Sequence, residues 1–251
     1  MDVLGIDIGG TGIKAAIVDT KTGELKTPRY RVETPHPATP DAVIIKIQQI
    51  VKKFKWNDII GIGFPAAVKH DVVKTASNID KRWIGLNAAI EIEKATKCPT
   101  HLLNDVDAAG YAEMHFGAGK GNNNNVIVIA VGTGIGTALF SEGTLFANTE
   151  LGFIRVKGIP GEHYAANSVR EREDLSWKEW GKRLNRYLNR IESLFYPDLI
   201  ILGGGISKKF DRFSKYIELE CEIIPAEMKN NAGIIGAALA AHHRLIELAE
   251  R

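Results

Sequence analysis

The sequence predicts an α/β fold, and three observations carry that prediction. Short apolar runs of strand length, at residues 2–8, 58–64, 100–103, 126–131 and 199–202, alternate with stretches whose apolar residues recur at helical spacing. Three of these runs end in glycine turns: Gly9-Gly10-Thr11-Gly12, Gly132-Thr133-Gly134 and Gly203-Gly204-Gly205. A second apolar run follows each of the first two turns. The strand–turn–strand theme therefore opens both halves of the chain, a weak internal symmetry at long period.

The first element is DVLGIDI at residues 2–8, which breaks at Gly9-Gly10-Thr11-Gly12 and resumes over 13–18, apolar except for Lys14. This reads as a hairpin whose turn uses glycine for positive φ. Without Cβ atoms, an anion can approach the backbone N–H donors of such a turn. Asp7 ends the first strand beside that place. A carboxylate there repels a phosphate unless a divalent cation stands between them, so Asp7 reads as an Mg²⁺-side group acting through water. Thr11 offers a hydroxyl and Lys14 a charge. The plainer alternative is a tight hairpin with a charged rim, since short glycine motifs recur by chance.

Residues 21–24 form a turn, and 25–32 can extend as a third strand. ETPHPATP, at 33–40, holds three prolines and is an extended loop. Pro40-Asp41 then opens a helix over 42–54, with Val43, Ile44, Ile47, Ile50, Val51 and Phe54 along one face. The run at 58–64 is a buried strand ended by Pro65, 74–83 is a polar loop, and 85–95 is helical. The strand at 100–103 ends at Asn104-Asp105, and a helix begins at Asp107. After a Gly/Asn loop at 120–125 the second hairpin follows, with its return strand at 138–140. Residues 163–195 are rich in charges and aromatics and read as helices with solvated outer faces. The strand at 199–202 leads through the third glycine turn into a helix at 206–213, and a final amphipathic helix spans 237–248.

With 251 residues the chain can form one large domain or two modest ones. Apolar residues at 45% and charged residues at 25% are ordinary globular usage. Lys+Arg at 32 against Asp+Glu at 30 leaves a net charge of +2, which gives no reason to expect nucleic acid or a membrane as partner. Cys98 and Cys221 form neither a metal-ligand spacing nor a disulfide framework. No signal-like segment and no membrane-length apolar stretch is visible, so the expectation is a cytoplasmic protein.

Taken together, DIGGTG, VGTGIG and LGGGIS resemble the two phosphate loops and the adenosine loop of the sugar kinase/actin/Hsp70 fold. NDVDAAG after a short strand, and ELG after the second turn, narrow the resemblance to the ROK sugar kinases. The match is closest to the polyphosphate glucokinase branch, through TPHPATPDAV, GIGFPAAV, TASNIDKRWIG, TELG, LSWKEWGKRLN, PDLIILGGGISKK and NNAGIIGAAL. The resemblance implies a two-lobed, ribonuclease H-like fold with a cleft between the lobes. Residues 1–106 would form the N-terminal lobe, with the final helix, 237–251, packed back on it, and 107–236 the C-terminal lobe. It also implies a homodimeric transferase that moves a phosphoryl group from polyphosphate, with or without ATP as a further donor, to the 6-hydroxyl of glucose, using Mg²⁺.

Phosphorylating a sugar needs a base beside the acceptor hydroxyl and positioned charge around the moving phosphoryl group. Asp105 stands at a strand-to-helix switch, where it could be a helix N-cap; the resemblance makes it the base. Asn104 can donate to one sugar hydroxyl and accept from another. Glu150, Glu162 and Asn78 resemble sugar-binding residues, each otherwise a solvated loop residue. Gly132, Thr133 and Gly134 would hold the donor phosphates, as would Gly9, Gly10, Thr11, Gly12 and Lys14. Gly203, Gly204 and Gly205, at the mouth of a helix, would support the donor's far end. Lys208 and Lys209 can meet a polyanion or lie on a solvated helix face.

Two departures stand out. Where many ROK proteins carry a cysteine-rich zinc segment ahead of the Glu162 position, this chain has FIRVKGIPG, so no structural zinc is expected. Phe153 follows ELG where the family has a sugar-contacting histidine, which opens the identity of the acceptor. Two other readings accompany the polyphosphate kinase: an ATP-dependent hexokinase on the same scaffold, and a non-catalytic sugar sensor. ROK repressors carry an N-terminal helix-turn-helix, and here the first strand begins right after Met1, which disfavours the sensor.

Overall fold

The computed structural model describes residues 1–77 and 79–250. The chain forms two compact units, Met1–Ala112 with Asn230–Arg251, and Glu113–Lys229.

In the first unit, β1 (Asp2–Ile8) and β2 (Gly12–Asp19) pair antiparallel across the first glycine turn, with Ile8 opposite Ile13. The strand expected over 25–32 is instead two pieces, β3 (Glu24–Leu25) and β4 (Tyr30–Glu33), both paired with β2. Pro28 lies in the break and has no N–H for a ladder. Thr27 Oγ1 substitutes nearby by accepting from the Ile17 N–H at 3.0 Å. Next come α1 (Pro40–Phe54), capped by Thr39, and β5 (Ile60–Phe64), buried throughout and parallel to β1. A hairpin of β6 (Val68–Lys69) and β7 (Val72–Val73) follows, absent from the sequence reading. Helix α2 (Ala88–Thr96) starts three residues later than expected, because Gly85 has φ +87° and Asn87 supplies the cap. Strand β8 (Thr100–Asn104) lies parallel to β5 and runs into α3 (Asp105–Phe116). The sheet order is β3-β2-β1-β5-β8.

Leu4, Ile6, Ile60 and Ile62 share one core with Val43 and Ile47 of α1. The alternate residues Gly5 and Gly61 face the other way. There the C-terminal helix, Ala232–Ala249, comes so close that a Cβ on Gly5 would sit 2.1 Å from the Ile234 carbonyl oxygen. On Gly61 it would sit 1.9 Å from that of Ala237. This helix begins at Ala232, five residues before the expected start.

The second unit repeats the plan. Strands β9 (Val126–Val131) and β10 (Ile135–Ser141) pair antiparallel across the second glycine turn, and β11 (Thr144–Phe146) extends the meander. The FIRVKGIPG segment folds into a hairpin of β12 (Arg155–Val156) and β13 (Ile159–Pro160). Helices α4 (Gly161–Ala165), α5 (Asn167–Arg172) and α6 (Trp177–Phe195) follow. A Ser176–Glu179 capping box starts α6, which buries Trp180, Leu184, Tyr187, Leu188 and Ile191 on one face. Strand β14 (Leu199–Gly203) lies parallel to β9, and β15 (Glu222–Pro225) parallel to β14, giving the order β11-β10-β9-β14-β15.

The helix expected at 206–213 is not an α-helix. Two 3₁₀ turns occupy the stretch, Ser207–Arg212 and Ser214–Tyr216, and Lys209 (φ −120°) leaves helical geometry. Phe210 and Phe213 stand three residues apart, and a 3₁₀ turn places such residues on one side. Phe213 is fully buried there against Trp180, with ring centroids 4.9 Å apart.

Candidate active site

Strands β1, β5 and β8 run parallel, with Asp7 opposite Gly63, Gly63 opposite Leu103, and Phe64 opposite Asn104. The first glycine turn and Asn104-Asp105 therefore leave the sheet at one edge, the carboxyl end where ligands of such sheets bind. The turn is held by its own Gly9 N–H donating to the Gly12 carbonyl at 3.1 Å. The Arg31 guanidinium donates to the Thr11 carbonyl at 2.7 Å and the Thr34 hydroxyl to that of Gly9 at 2.6 Å. Contrary to expectation, none of Gly9, Gly10 and Gly12 has positive φ. A Cβ on Gly12 would instead lie 2.4 Å from the Arg31 Nε, in the space that this side chain occupies over the turn. A Cβ on Gly10 would touch nothing.

Asp7 and Lys14 are cross-strand partners, and Lys14 Nζ lies 3.1 Å from Asp7 Oδ2. The other flank of the carboxylate is kept open by Gly233, whose Cβ would come within 2.9 Å of Asp7 Cγ. Among the described residues no group of three or more His, Cys, Asp or Glu is placed to hold a metal. A single partly exposed carboxylate fits an Mg²⁺ ion that keeps its waters and takes its remaining oxygens from phosphate.

Asn104, not Asp105, caps α3. Its Oδ1 accepts from the N–H groups of Val106 at 2.8 Å and Asp107 at 3.1 Å, and its Nδ2 donates to the Ala66 carbonyl at 3.1 Å. The cap that Asp105 might have supplied is thus filled by its neighbour. One Nδ2 hydrogen of Asn104 is left for a ligand, while its oxygen is committed to the helix. Asp105 Oδ1 accepts from the Val106 N–H at 2.9 Å. Its Cα lies 3.6 Å from where a Cβ on Gly63 would stand, so the residue sits against the end of β5. Asn78 lies outside the described residues.

In the second unit β9 and β14 are parallel, with Ala130 opposite Gly203, so the second and third glycine turns emerge side by side. Gly204 (φ +81°) turns so tightly over β9 that a Cβ would sit 2.3 Å from the Val131 carbonyl oxygen. Gly132 and Gly205 have ordinary φ, and a Cβ on either would meet nothing. The third turn opens into a 3₁₀ segment, so no α-helix N-terminus stands behind it.

Glu162, on α4, is packed against the second turn: a Cβ on Gly134 would reach within 2.5 Å of its Oε2. Glu150 is fixed by the residues around it. Gly152 abuts the Ile135 carbonyl, where a Cβ would sit at 2.2 Å, so the 3₁₀ turn Leu151–Phe153 seats on the start of β10. The buried Thr137 hydroxyl donates to the Thr149 carbonyl at 2.8 Å and accepts from the Leu151 N–H at 3.2 Å. Partial desolvation, reinforced by the Glu162 charge, raises the Glu150 carboxyl above the usual glutamate range. Two carboxylates thus face one region beside a phosphate-type turn. Phe153, half exposed, lies between them in sequence.

The sequence reading missed Arg31 and Thr34 behind the first turn, and Thr137 behind Glu150. It also missed Ser168, whose N–H donates to the Gly132 carbonyl at 3.2 Å and whose hydroxyl donates to the Thr133 carbonyl at 2.5 Å. Thr137, inside the GTGIGT motif, and Thr34, which opens TPHPATPDAV, had a local signal; Arg31 and Ser168 had none.

Residues 3–163 match the model of the ROK family. A polyphosphate glucokinase of Mycobacterium tuberculosis is 46% identical over 239 residues, spanning 94% of this chain and 90% of the relative. The crystal structure of an inorganic polyphosphate/ATP-glucomannokinase from Arthrobacter sp. strain KM matches with a TM-score of 0.92 at 41% identity, covering 97% of this chain and 99% of that one. A ROK family glucokinase from Streptomyces griseus, in complex with glucose and AMPPNP, matches with a TM-score of 0.81 at 26% identity, covering 97% and 100%. The chain belongs to the ROK family, with the fold of its sugar kinases.

Proposed function

We propose that this protein is a kinase that transfers a phosphoryl group from inorganic polyphosphate to the 6-hydroxyl of glucose. The observation that carries the proposal is that Gly10, Gly132 and Gly205, one in each glycine turn, are not required by the fold. Each has ordinary φ and open space where a Cβ would be. Open space in front of a turn's backbone lets a phosphate oxygen approach the turn, although the Gly132 N–H itself donates to the Gly134 carbonyl at 2.9 Å. The names of the relatives supply polyphosphate and glucose as the donor and acceptor.

In this reading Asp105 accepts the proton of the 6-hydroxyl as its oxygen bonds to the terminal phosphorus of the donor and the bridging P–O bond breaks. Glu150, Glu162 and the remaining Nδ2 hydrogen of Asn104 orient the sugar through its other hydroxyls. The turns at Gly9-Gly10-Thr11-Gly12 and Gly132-Thr133-Gly134 hold phosphate oxygens, with Lys14 adding charge and Gly203-Gly204-Gly205 supporting the far end of the donor. Mg²⁺ held on the Asp7 side would neutralise charge on those oxygens. The reading extends, on resemblance alone, to a cytoplasmic homodimer.

A second reading, with ATP as donor and another hexose as acceptor, is favoured by Phe153 and by the ATP in the Arthrobacter enzyme's name. Assaying phosphorylated product from glucose or mannose, with Mg²⁺ and either donor, separates the two. Asp105→Asn should lower kcat by about 10²–10⁴-fold, the usual contribution of a positioned base. Turnover by that variant at the wild-type rate would remove Asp105 from the mechanism.

A further inference from the structure

Helix α4 carries Glu162 but is only five residues long, too short to hold itself. Its place is set by α6. The Trp180 Nε1–H donates to the carbonyls of Ala165 and Ala166, at 3.0 and 3.2 Å, where α4 ends. The Tyr164 hydroxyl accepts from Arg186 Nη1 at 2.9 Å, and Arg183 Cζ lies 5.4 Å from the Tyr164 ring centroid. Where α4 begins, Gly161 lies on the edge of the Tyr187 ring: a Cβ there would stand 2.5 and 2.6 Å from its Cδ2 and Cε2.

Tyr187 is fully buried, and among the described residues its hydroxyl has no hydrogen-bond partner. An unpaired buried hydroxyl is destabilising, and a phenylalanine ring would fill the same space without that cost. Two polar groups stand beside it. The Ile154 carbonyl oxygen lies 3.2 Å from the same point next to Gly161. It accepts from the Gly161 N–H at 2.8 Å and has a second lone pair to offer. Glu162 is the next residue. Burial, reinforced by the Glu162 charge, pushes the Tyr187 hydroxyl far up, so it stays protonated and can donate. Among the described residues, the Glu162 carboxylate has one charged neighbour within 4 Å, the exposed His163 at 3.6 Å.

We propose that Tyr187 is a positioning residue for the sugar site, its hydroxyl holding the Glu162 carboxylate through one buried water. The water accepts from the hydroxyl and donates to Glu162 and to the Ile154 carbonyl. Three polar partners are the usual number for a buried water. The proposal rests on the reading of Glu162 as a sugar-orienting residue. A carboxylate aimed in advance loses less freedom when a sugar hydroxyl donates to it, so the sugar binds more tightly.

The test replaces Tyr187 by phenylalanine, which keeps the ring and removes the hydroxyl. In Tyr187→Phe the KM for glucose should rise about tenfold, as for the loss of one hydrogen bond to a charged group. The KM for polyphosphate at saturating glucose should stay within twofold, a split that a purely structural tyrosine would not produce. Chemical denaturation of the wild type, Tyr187→Phe, Glu162→Ala and the double variant completes a cycle that does not depend on activity. With Glu162 in place, Tyr187→Phe should raise the unfolding equilibrium constant about three- to tenfold. In the Glu162→Ala background it should leave that constant unchanged or lower it. A glucose KM within twofold of wild type, an equal rise in both KM values, or the same change in stability in both backgrounds overturns the proposal. If the wild type phosphorylates no glucose, the functional reading fails instead, and the denaturation cycle alone decides: coupling between the two positions sustains the contact, and additivity refutes it.

Discussion

Replacing Gly132 by alanine should separate stability from donor use. At this position φ is ordinary and the added methyl meets no protein atom within 4 Å. Such a substitution acts mainly on the unfolded chain and stabilises by about 0.4–1 kcal/mol. For a chain of this size that corresponds to a rise in Tm of about 1–4 °C. The donor meets the opposite effect. A phosphate oxygen accepting from a turn N–H lies about 2.9 Å from the nitrogen, and a methyl group in the open space displaces it. Losing one hydrogen bond to a charged group costs about 1.5–3 kcal/mol, or about 10- to 150-fold in donor kcat/KM. Thermal unfolding and donor kinetics at saturating glucose measure both quantities. Gly204→Ala is the control, since its φ of +81° and its contact with the Val131 carbonyl make it strained and destabilising. A Gly132→Ala variant with lowered Tm, or with donor kinetics within twofold of wild type, would refute the reasoning.

Gly236→Ala should destabilise by about 3 kcal/mol, because its Cβ would fall 1.6 Å from the Ala108 carbonyl oxygen and force the C-terminal helix off α3; chemical denaturation reads this as a lowered midpoint. Glu150 has a raised carboxyl pKa, so its contribution to stability is present below the unfolded value near 4.5 and is lost as pH rises through the folded value. Glu150→Gln should therefore unfold at a higher temperature than wild type at pH 7, by a small margin since the residue is exposed, and the gap should close below about pH 4.5. The same variant should bind sugar more weakly. Phe153→His should lower the KM for glucose by up to about tenfold through one regained hydrogen bond; an unchanged KM would mean that position 153 does not face the sugar.

The parallel strands and the glycine turns were legible because apolar runs ending in glycine admit few other arrangements. The β6–β7 hairpin was not, since it turns through His70 and Asp71, both at positive φ, rather than through the Asn-Gly or Asp-Gly pair that usually marks such turns. At Asn104-Asp105 two residues of nearly equal capping strength stand side by side, and sequence cannot say which one the helix uses. Glu113 shows the limit most clearly. Buried in α3, it accepts from the N–H groups of Ala118, Glu227 and Met228, the last at 2.8 Å and 115 residues away in sequence. Nothing local separates such a residue from a solvated helix glutamate.

The glycines bear most directly on what can be inferred about the site. In this chain the residue serves three ends that look identical in sequence. Gly5, Gly61 and Gly236 let a helix touch backbone, and Gly204 supplies positive φ, so the fold alone accounts for all four. Gly10, Gly132 and Gly205 do neither. A packing argument would put alanine at each of them, since alanine costs less conformational entropy and clashes with nothing. Their being glycine therefore needs a cause outside the folded chain, and an anion that must come close to backbone N–H groups is such a cause. That the three fall one in each strand-end turn, rather than scattered over the surface, is what points the turns toward phosphate.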